Sequence, residues 1–166
     1  ASSEFASLTV GDAGSAVMLQ ASTNKSEAMI SHGFTTLTDY NRLCTAQPRL
    51  KTPGAAMKTK AKQIHDVSIK NSIPILKKAL ENFGVKYEEY DYVIPHQTSR
   101  SAILAGARLY SKIFNGSPGK VLMNLKNNGN TASTSHFICL YDYLKKGLFK
   151  PEDKVLAISY ASGVVF

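Results

Sequence analysis

His96 is the first residue whose type and position suggest chemistry. It lies in the segment Ile94-Pro95-His96-Gln97-Thr98-Ser99-Arg100, after a short apolar run that predicts a buried strand and before a predicted helix. Ligands of open α/β sheets bind beyond the carboxyl ends of the strands, so a histidine here is well placed for a functional site. A histidine bonded to nearby backbone in a turn explains the same pattern, and the segment alone slightly favours that alternative.

Two further motifs are rich in turn residues. Residues 124–133 read Asn-Leu-Lys-Asn-Asn-Gly-Asn-Thr-Ala-Ser, and either Asn130 or Thr131 is suited to cap the helix predicted to follow. Residues 10–16 read Val-Gly-Asp-Ala-Gly-Ser-Ala and predict a tight turn between strands, without the pattern of a phosphate-binding loop. Taken singly, a capped turn and a structural turn account for both motifs.

Patterns along the rest of the chain predict alternating strands and helices. The predicted strands are two within residues 5–21 (the second at 16–21), 29–40, 91–95, 120–125 and 154–160. The predicted helices are 55–83, 99–113 and 131–146, and the predicted loops and turns are 41–54, 127–130 and 161–163. Such alternation argues for an α/β fold, and the strand-first opening suggests a mixed sheet.

The first predicted helix contains its own signals for breaks and ends. Pro74 should kink it or split it in two, because proline removes a backbone hydrogen bond, and Ser72 is suited to cap the second part. Gly84 is a suitable residue for its C-terminal end.

In chain order, these motifs resemble those of condensing enzymes related to β-ketoacyl-acyl-carrier-protein synthase III, within the thiolase superfamily. The matching segments are Gly11-Asp12-Ala13-Gly14-Ser15-Ala16, Asp91-Tyr92-Val93-Ile94-Pro95-His96-Gln97, Gly129-Asn130-Thr131-Ala132-Ser133-Thr134-Ser135, and Lys154 to Gly163. The resemblance spans essentially the whole chain, but only the C-terminal half of the family's usual length. It implies a thiolase-like half with a mixed five-stranded sheet covered by helices.

The sequence departs from the family pattern at two places. Ser99 stands where the family often has Asn, and the loop at 161–163 is poorer in Gly than usual. These departures affect the substrate subtype more than the fold.

The resemblance implies an acyltransferase that carries out a decarboxylative Claisen condensation in fatty acid or polyketide synthesis. An acyl group is loaded on a cysteine, a malonyl thioester loses CO₂, and the resulting enolate attacks the acyl-enzyme. His96, through its ring N–H, and Asn130, through its amide, match the family's two donors to the thioester oxygen, each contributing about 3 kcal/mol. A neutral imidazole is sufficient for this role. His65 and His136 match no motif and are interpreted as a helix-surface residue and as helix packing.

Neither cysteine matches the family's nucleophile, which lies in the N-terminal half. Cys139 falls within a predicted helix and Cys44 in a Pro-flanked loop; they form no metal-ligand pattern and suggest reduced thiols in a cytoplasmic protein. We therefore expect this chain, which begins at Ala1 rather than Met, to be inactive alone and to need the missing N-terminal half. No metal or cofactor is expected, because the substrates are carried as thioesters of coenzyme A or acyl carrier protein.

The net charge of +8 and the pI near 9.5 favour anionic partners. Arg100, Arg108 and Lys112 lie four or eight positions apart on the helix after His96, and with Gln97 they are the candidates for binding substrate or carrier. A solvated charged surface is an equal alternative for any one of them. Nucleic-acid binding is disfavoured because Trp is absent and no nucleic-acid motif occurs, and no apolar run is long enough to span a membrane.

Two other functions fit the same motifs. Another branch of the fold, such as hydroxymethylglutaryl-CoA synthase or a polyketide starter or chalcone-type enzyme, shares the His and partly the Asn. A non-catalytic thiolase-like module would bind acyl carrier protein or a partner subunit without chemistry, although the presence of both His96 and Asn130 argues mildly against it. The full-length protein is expected to be a homodimer, mainly through the half not present here.

Overall fold

Strands and helices follow one another along the described part of the chain. The structure, a computed structural model, describes residues 9–24, 32–161 and 164–165. The strands are β1 (Cys44–Pro48), β2 (Ala55–Thr59), β3 (Tyr92–Pro95), β4 (Lys120–Val121) and β5 (Val155–Ile158). The α-helices are α1 (Ala61–Phe83), α2 (Arg100–Ile113), α3 (Leu125–Asn128) and α4 (Ser135–Lys145). Short 3-10 helices occupy Thr38–Leu43, Tyr87–Glu89 and Ala132–Thr134.

The described strands form two sheets rather than the single five-stranded sheet that the sequence predicts. β3 lies between β4 and β5 and is parallel to both, with Tyr92 opposite Lys120 on one side and Val155 on the other. β1 and β2 pair as an antiparallel hairpin in a separate sheet. The α/β class is confirmed, and both parallel and antiparallel pairing occur, but in different sheets.

The parallel sheet is packed on both faces, because successive side chains of a strand point to opposite faces. Val93 belongs to an apolar cluster that includes Leu80 from α1 and Tyr110 from α2. Ile94, the next residue, belongs to a second cluster with Cys139 from α4. β3 is therefore buried on both faces, and this packing fixes the position of its end at Pro95, directly before His96.

Helix α1 runs unbroken through Pro74, so the predicted split is wrong. A proline inside a helix costs about 3 kcal/mol, through the lost backbone hydrogen bond and the clash of its ring with the preceding turn, and apolar residues on both sides of Pro74 pack against the core and offset this cost. Ser72 is not a helix cap: it is buried inside α1, and its hydroxyl bonds to that of Tyr110 at 2.6 Å. Gly84 ends α1 in the left-handed conformation with φ 65°, as predicted.

Several predicted boundaries shift. The first residues of the helix predicted at 55–83 form β2, and the loop predicted at 41–54 contains β1, because these mostly exposed strands have little of the β-branched pattern by which strands are recognised. The strand predicted at 120–125 shortens to β4, and the first half of the turn predicted at 127–130 belongs to α3. The helix predicted at 131–146 begins only at α4, after a 3-10 turn.

The N-terminal segment differs most from its prediction. Residues 16–21 form no strand, because no part of the described chain pairs with their backbone. Residues 5–8 and 29–31, which belong to other predicted strands, lie outside the described residues. In the described parts of these other predicted strands, the structure has isolated bridges in place of strands, between Val10 and Asn130 and between Thr36 and Val165.

None of the helices within residues 9–24, 32–161 and 164–165 combines the length and the apolar character that crossing a bilayer requires.

Candidate active site

A cavity of about 650 Å³ lies where the parallel strands end. Its wall includes His96, which follows β3, Asn130, which follows β4 and α3, and Tyr160, which follows β5. Residues of α1 and α2 supply much of the remaining wall. Because the three strands are parallel, their carboxyl ends meet at one edge of the sheet, and the two predicted catalytic residues reach the same cavity.

Backbone hydrogen bonds hold His96 at the tip of β3. Its N–H donates to the carbonyl of Ile158 at 2.8 Å, which extends the ladder between β3 and β5 past the end of the strand. Ser99 then caps α2, since its side-chain oxygen accepts the N–H of Ala102 at 3.2 Å. The predicted order of strand, histidine and helix is confirmed.

The imidazole of His96 stacks on that of His136 from α4, with ring centroids 6.0 Å apart and planes 29° apart. The Nε2 of His136 donates to the same Ile158 carbonyl at 2.9 Å. Burial, with a smaller contribution from His136, lowers the pKa of His96 from 6.5 to about 4. Burial also lowers the pKa of His136, although its bond to Ile158 acts in the opposite direction. Both rings are therefore neutral near pH 7.

The stacking partner His136 is the part of this site that the sequence does not reveal. The sequence predicts a helix-packing role for it, and it does pack, directly against the imidazole of His96. His136 directly follows the motif at 129–135 but matches no motif itself, and it reaches His96 because α4 packs against β3. Only the contact between the two rings in the folded protein identifies His136 as part of the site.

The two ring nitrogens of His96 differ in their surroundings. Nδ1 is buried and has no hydrogen-bond partner within the described chain. Orphaned N–H donors are rarer in proteins than under-used acceptors, and an unpartnered buried donor is costly. The ring proton therefore belongs on Nε2, which makes His96 a neutral N–H donor.

The backbone of Asn130 is fixed by the segment at residues 9–11. Its N–H donates to the Thr9 carbonyl at 2.8 Å, and its own carbonyl accepts the N–H of Gly11 at 3.0 Å. A Cβ at Gly11 would lie 1.8 Å from the Asn128 carbonyl oxygen, so this approach requires glycine. The Gly-rich turn, interpreted from sequence as structural, therefore helps to position the Asn motif.

One end of the Asn130 side chain is also fixed. Its Oδ1 accepts the N–H of Ala132 at 3.0 Å, an Asx turn that leaves the Nδ2 protons for another acceptor. Ala132 has a φ of 51°, which is uncommon for a residue other than glycine, and such conformations concentrate at functional sites. Asn130 is thus a second neutral N–H donor in the cavity wall.

Gln97 is fully buried and does not line the cavity. Its Nε2 donates to the carbonyls of Pro95 at 2.7 Å and Leu122 at 3.3 Å, and its Oε1 accepts the N–H of Asn124 at 3.1 Å. These bonds join the end of β3 to the segment after β4, from which the two donors extend. The structure gives Gln97 this positioning role, in place of the substrate or carrier contact that the sequence suggests.

The other predicted binding residues lie on the surface of α2. Arg100, Arg108 and Lys112 are exposed, and none of them lines the cavity. Within the described chain, none forms an ion pair. Their part in carrier binding stays a prediction. His65, interpreted as a helix-surface residue, is half-buried and contributes to the cavity wall from α1.

Neither cysteine lies in the cavity wall. Cys139 is fully buried, and burial raises the pKa of its thiol to about 12, so it stays protonated and is a poor nucleophile. Cys44 lies in β1, where its sulfur is 3.5 Å from the Thr59 hydroxyl. In the described ranges, no three His, Cys, Asp or Glu side chains cluster as metal ligands would.

The fold is shared with solved structures of thiolase-like enzymes. The 3-oxoacyl-[acyl-carrier-protein] synthase III of Aquifex aeolicus matches at 25% identity and a TM-score of 0.65, over 80% of this chain and 40% of that one. A variant of OleA from Xanthomonas campestris, solved with lauric acid and lauroyl-CoA, matches at 26% identity and 0.66, over 80% and 36%. The synthase III of Pseudomonas aeruginosa, at 13% identity and 0.70, shares the fold over 86% and 44%. The predicted thiolase-like fold is confirmed.

Sequence comparison defines the family. Residues 80–166 match the family described as 3-oxoacyl-[acyl-carrier-protein (ACP)] synthase III C terminal, and the chain belongs to this family. The β-ketoacyl-[acyl-carrier-protein] synthase III of Clostridium acetobutylicum is 28% identical over 105 residues, 63% of this chain and 31% of that protein. The Aquifex aeolicus enzyme is 30% identical over 110 residues, 66% and 34%. The chain therefore spans about a third of the length of these relatives.

Proposed function

We propose that this chain is the C-terminal catalytic part of an acyltransferase that condenses an acyl thioester with a malonyl thioester in fatty acid or polyketide synthesis. Family membership supports condensing chemistry. The observation that carries the proposal is that His96 and Asn130, both neutral donors, contribute to the wall of one cavity. The substrates are thioesters of coenzyme A or acyl carrier protein in the cytoplasm, and the OleA structure with lauroyl-CoA supports an acyl thioester in a related fold.

The two donors act on the thioester oxygen of the malonyl group. As the bond to the departing carboxylate breaks, its electron pair moves toward the thioester carbonyl, and negative charge develops on the oxygen. His96 and Asn130 donate to that oxygen, and neither gives up its proton, so a neutral imidazole suits the step. The low pKa of His96 supports this role, because the ring stays neutral. Loss of one such donor costs about 10²–10³ in rate.

The nucleophilic cysteine is supplied by a segment outside this chain. Helix α4 carries an exposed apolar stripe of Phe137, Tyr141 and Leu144, which are 44%, 55% and 57% exposed. This stripe borders a groove shared with the exposed Val17 and Met18. Exposed apolar patches of this kind mark interaction surfaces. We propose that the cysteine-bearing part packs on this face of α4, and that the chain is inactive without it. The complete enzyme is then a homodimer.

The experiment uses the product of the full reading frame that encodes this chain. His96→Ala and Asn130→Ala should each lower malonyl decarboxylation by about 10²–10³, measured as labelled CO₂, while acyl loading on the cysteine continues, measured by intact mass spectrometry. The matched control is His65→Ala, a second cavity histidine outside the motif, which should retain most of the decarboxylation. Variants that lose loading but keep decarboxylation contradict the assigned roles.

The lack of a suitable cysteine within the described chain favours one second candidate, a non-catalytic thiolase-like module. Such a module would bind acyl carrier protein or a partner subunit through the same surfaces. It requires that the full reading frame contain no cysteine-bearing condensing half, which sequencing of that frame decides directly.

A further inference from the structure

The imidazole of His96 lacks the hydrogen bond that usually orients a functional histidine. Such a ring acts through one nitrogen, and a hydrogen bond at the other nitrogen fixes its tautomer and its orientation. In His96 the buried Nδ1 has no partner within the described chain. The ring is instead stacked on His136, with the two ring centroids 6.0 Å apart.

His136 is itself tied to the sheet. Its Nε2 donates to the Ile158 carbonyl at 2.9 Å, and the same oxygen accepts the backbone N–H of His96 at 2.8 Å. One backbone oxygen at the end of β5 thus fixes both the His136 ring and the tip of β3. The position of one ring relative to the other is therefore set by the sheet.

The surroundings also keep both rings uncharged. His136 is the second residue of α4, where the positive end of the helix dipole disfavours an imidazolium. Apart from His96, the titratable groups of the cavity wall are Lys62 and His65 from α1, Tyr110 from α2, Tyr87 and Tyr160. The carboxylate of α4, Asp142, bonds to the amides of Asn124 and Asn128. Among the described residues, the wall therefore contains no carboxylate that would favour a charged imidazole.

We propose that His136 is a positioning residue of the condensing reaction, whose ring holds the His96 imidazole in the orientation in which its Nε2–H donates to the malonyl thioester oxygen. This inference rests on the proposed function, because it takes His96 as that donor. His136 does not line the cavity, so it acts through His96 and not on the substrate. A donor whose ring can turn loses part of its effect, because this kind of stabilisation depends on a preorganised geometry.

The test replaces His136 in the product of the full reading frame. His136→Ala removes the ring, and kcat for malonyl decarboxylation, measured as labelled CO₂, should fall about 10- to 100-fold. KM should change little, because the interaction that is lost acts only in the transition state. His136→Phe keeps an aromatic ring against His96, so its kcat should lie between those of His136→Ala and the native enzyme.

A second readout reports on His96 itself. Nuclear magnetic resonance of isotope-labelled histidine follows the titration of the His96 ring, whose signal is identified by its absence from His96→Gln. The pKa of His96 should rise in His136→Ala, because the ring is then less buried and the second imidazole, which opposes its protonation, is gone. The acid limb of the kcat profile should move to higher pH by the same amount.

Tyr143→Phe is the matched control, because it removes another side-chain bond from α4 to a backbone carbonyl, that to Met123 at 2.9 Å, outside the cavity wall. It should leave kcat and the pKa of His96 unchanged, and thermal unfolding should show that each variant folds. If His136→Ala does not fold, His136→Gln, which has an amide donor but no ring, should show the same loss of kcat and the same rise in pKa.

An unchanged kcat or an unchanged pKa of His96 in the His136 variant, or an equal loss of kcat in Tyr143→Phe, overturns the inference. The proposed function stands in each of these cases if His96→Ala still lowers decarboxylation. A native enzyme that does not decarboxylate the malonyl thioester refutes the proposed function and, with it, the inference.

Discussion

Acidification should destabilise the folded chain through His96. The pKa of an unperturbed histidine, as in the unfolded chain, is 6.5, and in the folded protein the pKa of His96 is about 4. As the pH falls below 6.5, the unfolded state takes up a proton that the folded state refuses, so stability is complete above 6.5 and declines until about pH 4. At about 1.4 kcal/mol per pH unit, the free energy of unfolding should fall by about 2 kcal/mol between about pH 7 and 5 from this group alone.

The assay is urea unfolding followed by circular dichroism at several pH values in that window. His96→Gln removes the titrating group, so its free energy of unfolding should depend less on pH by about 2 kcal/mol. The pKa of His136 is also lowered, so His136 adds to the loss of stability at low pH, and this contribution should remain in His96→Gln. His65→Gln, at another half-buried histidine of the cavity, is the control. An unchanged pH dependence in His96→Gln would refute the description of a buried, stacked, neutral imidazole.

Three further variants test the supports and surfaces of the site. Gln97→Ala breaks the bonds between the ends of β3 and β4 and should lower the free energy of unfolding by about 1–3 kcal/mol in urea; an unchanged value would contradict its positioning role. Arg108→Ala combined with Lys112→Ala should lower the rate with acyl carrier protein substrates about 3- to 10-fold at low salt, and little at high salt, with coenzyme A thioesters for comparison. Tyr141→Asp should prevent binding of a separately expressed cysteine-bearing part in a pull-down, whereas Ile113→Asp, at an exposed apolar residue of α2, should not.

Local signals in the sequence were sufficient for the elements that directly carry His96. The apolar run before His96 and the helix end at Gly84 each act within a few residues, and each lies where the pattern places it. These signals are short-range because the backbone satisfies its hydrogen bonds locally at helix ends. The cap predicted at Asn130 or Thr131 is wrong for α4, which begins after Thr134 without a side-chain cap, and the Asn130 side chain instead forms a turn with the N–H of Ala132.

Elements that depend on distant partners could not be predicted in this way. The hairpin of β1 and β2 is held by pairing and carries no Val, Ile or aromatic side chain, so its sequence lacks the residues typical of strands. Pro74 argues locally for a break, but packing against the sheet keeps α1 continuous. Residues 16–21 have the composition of a strand and no described partner to pair with.

The parts of the site missed by sequence reasoning are all long-range contacts. His136 meets His96 only because α4 packs on β3, and the same packing places the Ile158 carbonyl between them as a shared acceptor. Gln97 follows His96 in the chain, which predicts ligand contact, but its amide bonds to the nearby Pro95 carbonyl and to backbone groups of Leu122 and Asn124, 25 and 27 residues away.

The most direct measurement of the central claim is a crystal structure of the complete enzyme with a non-decarboxylating malonyl thioester analogue. The account predicts that the thioester oxygen lies within about 3.2 Å of both the His96 Nε2 and the Asn130 Nδ2. A thioester oxygen that contacts neither nitrogen, or only one of them while the other bonds to protein, would contradict it.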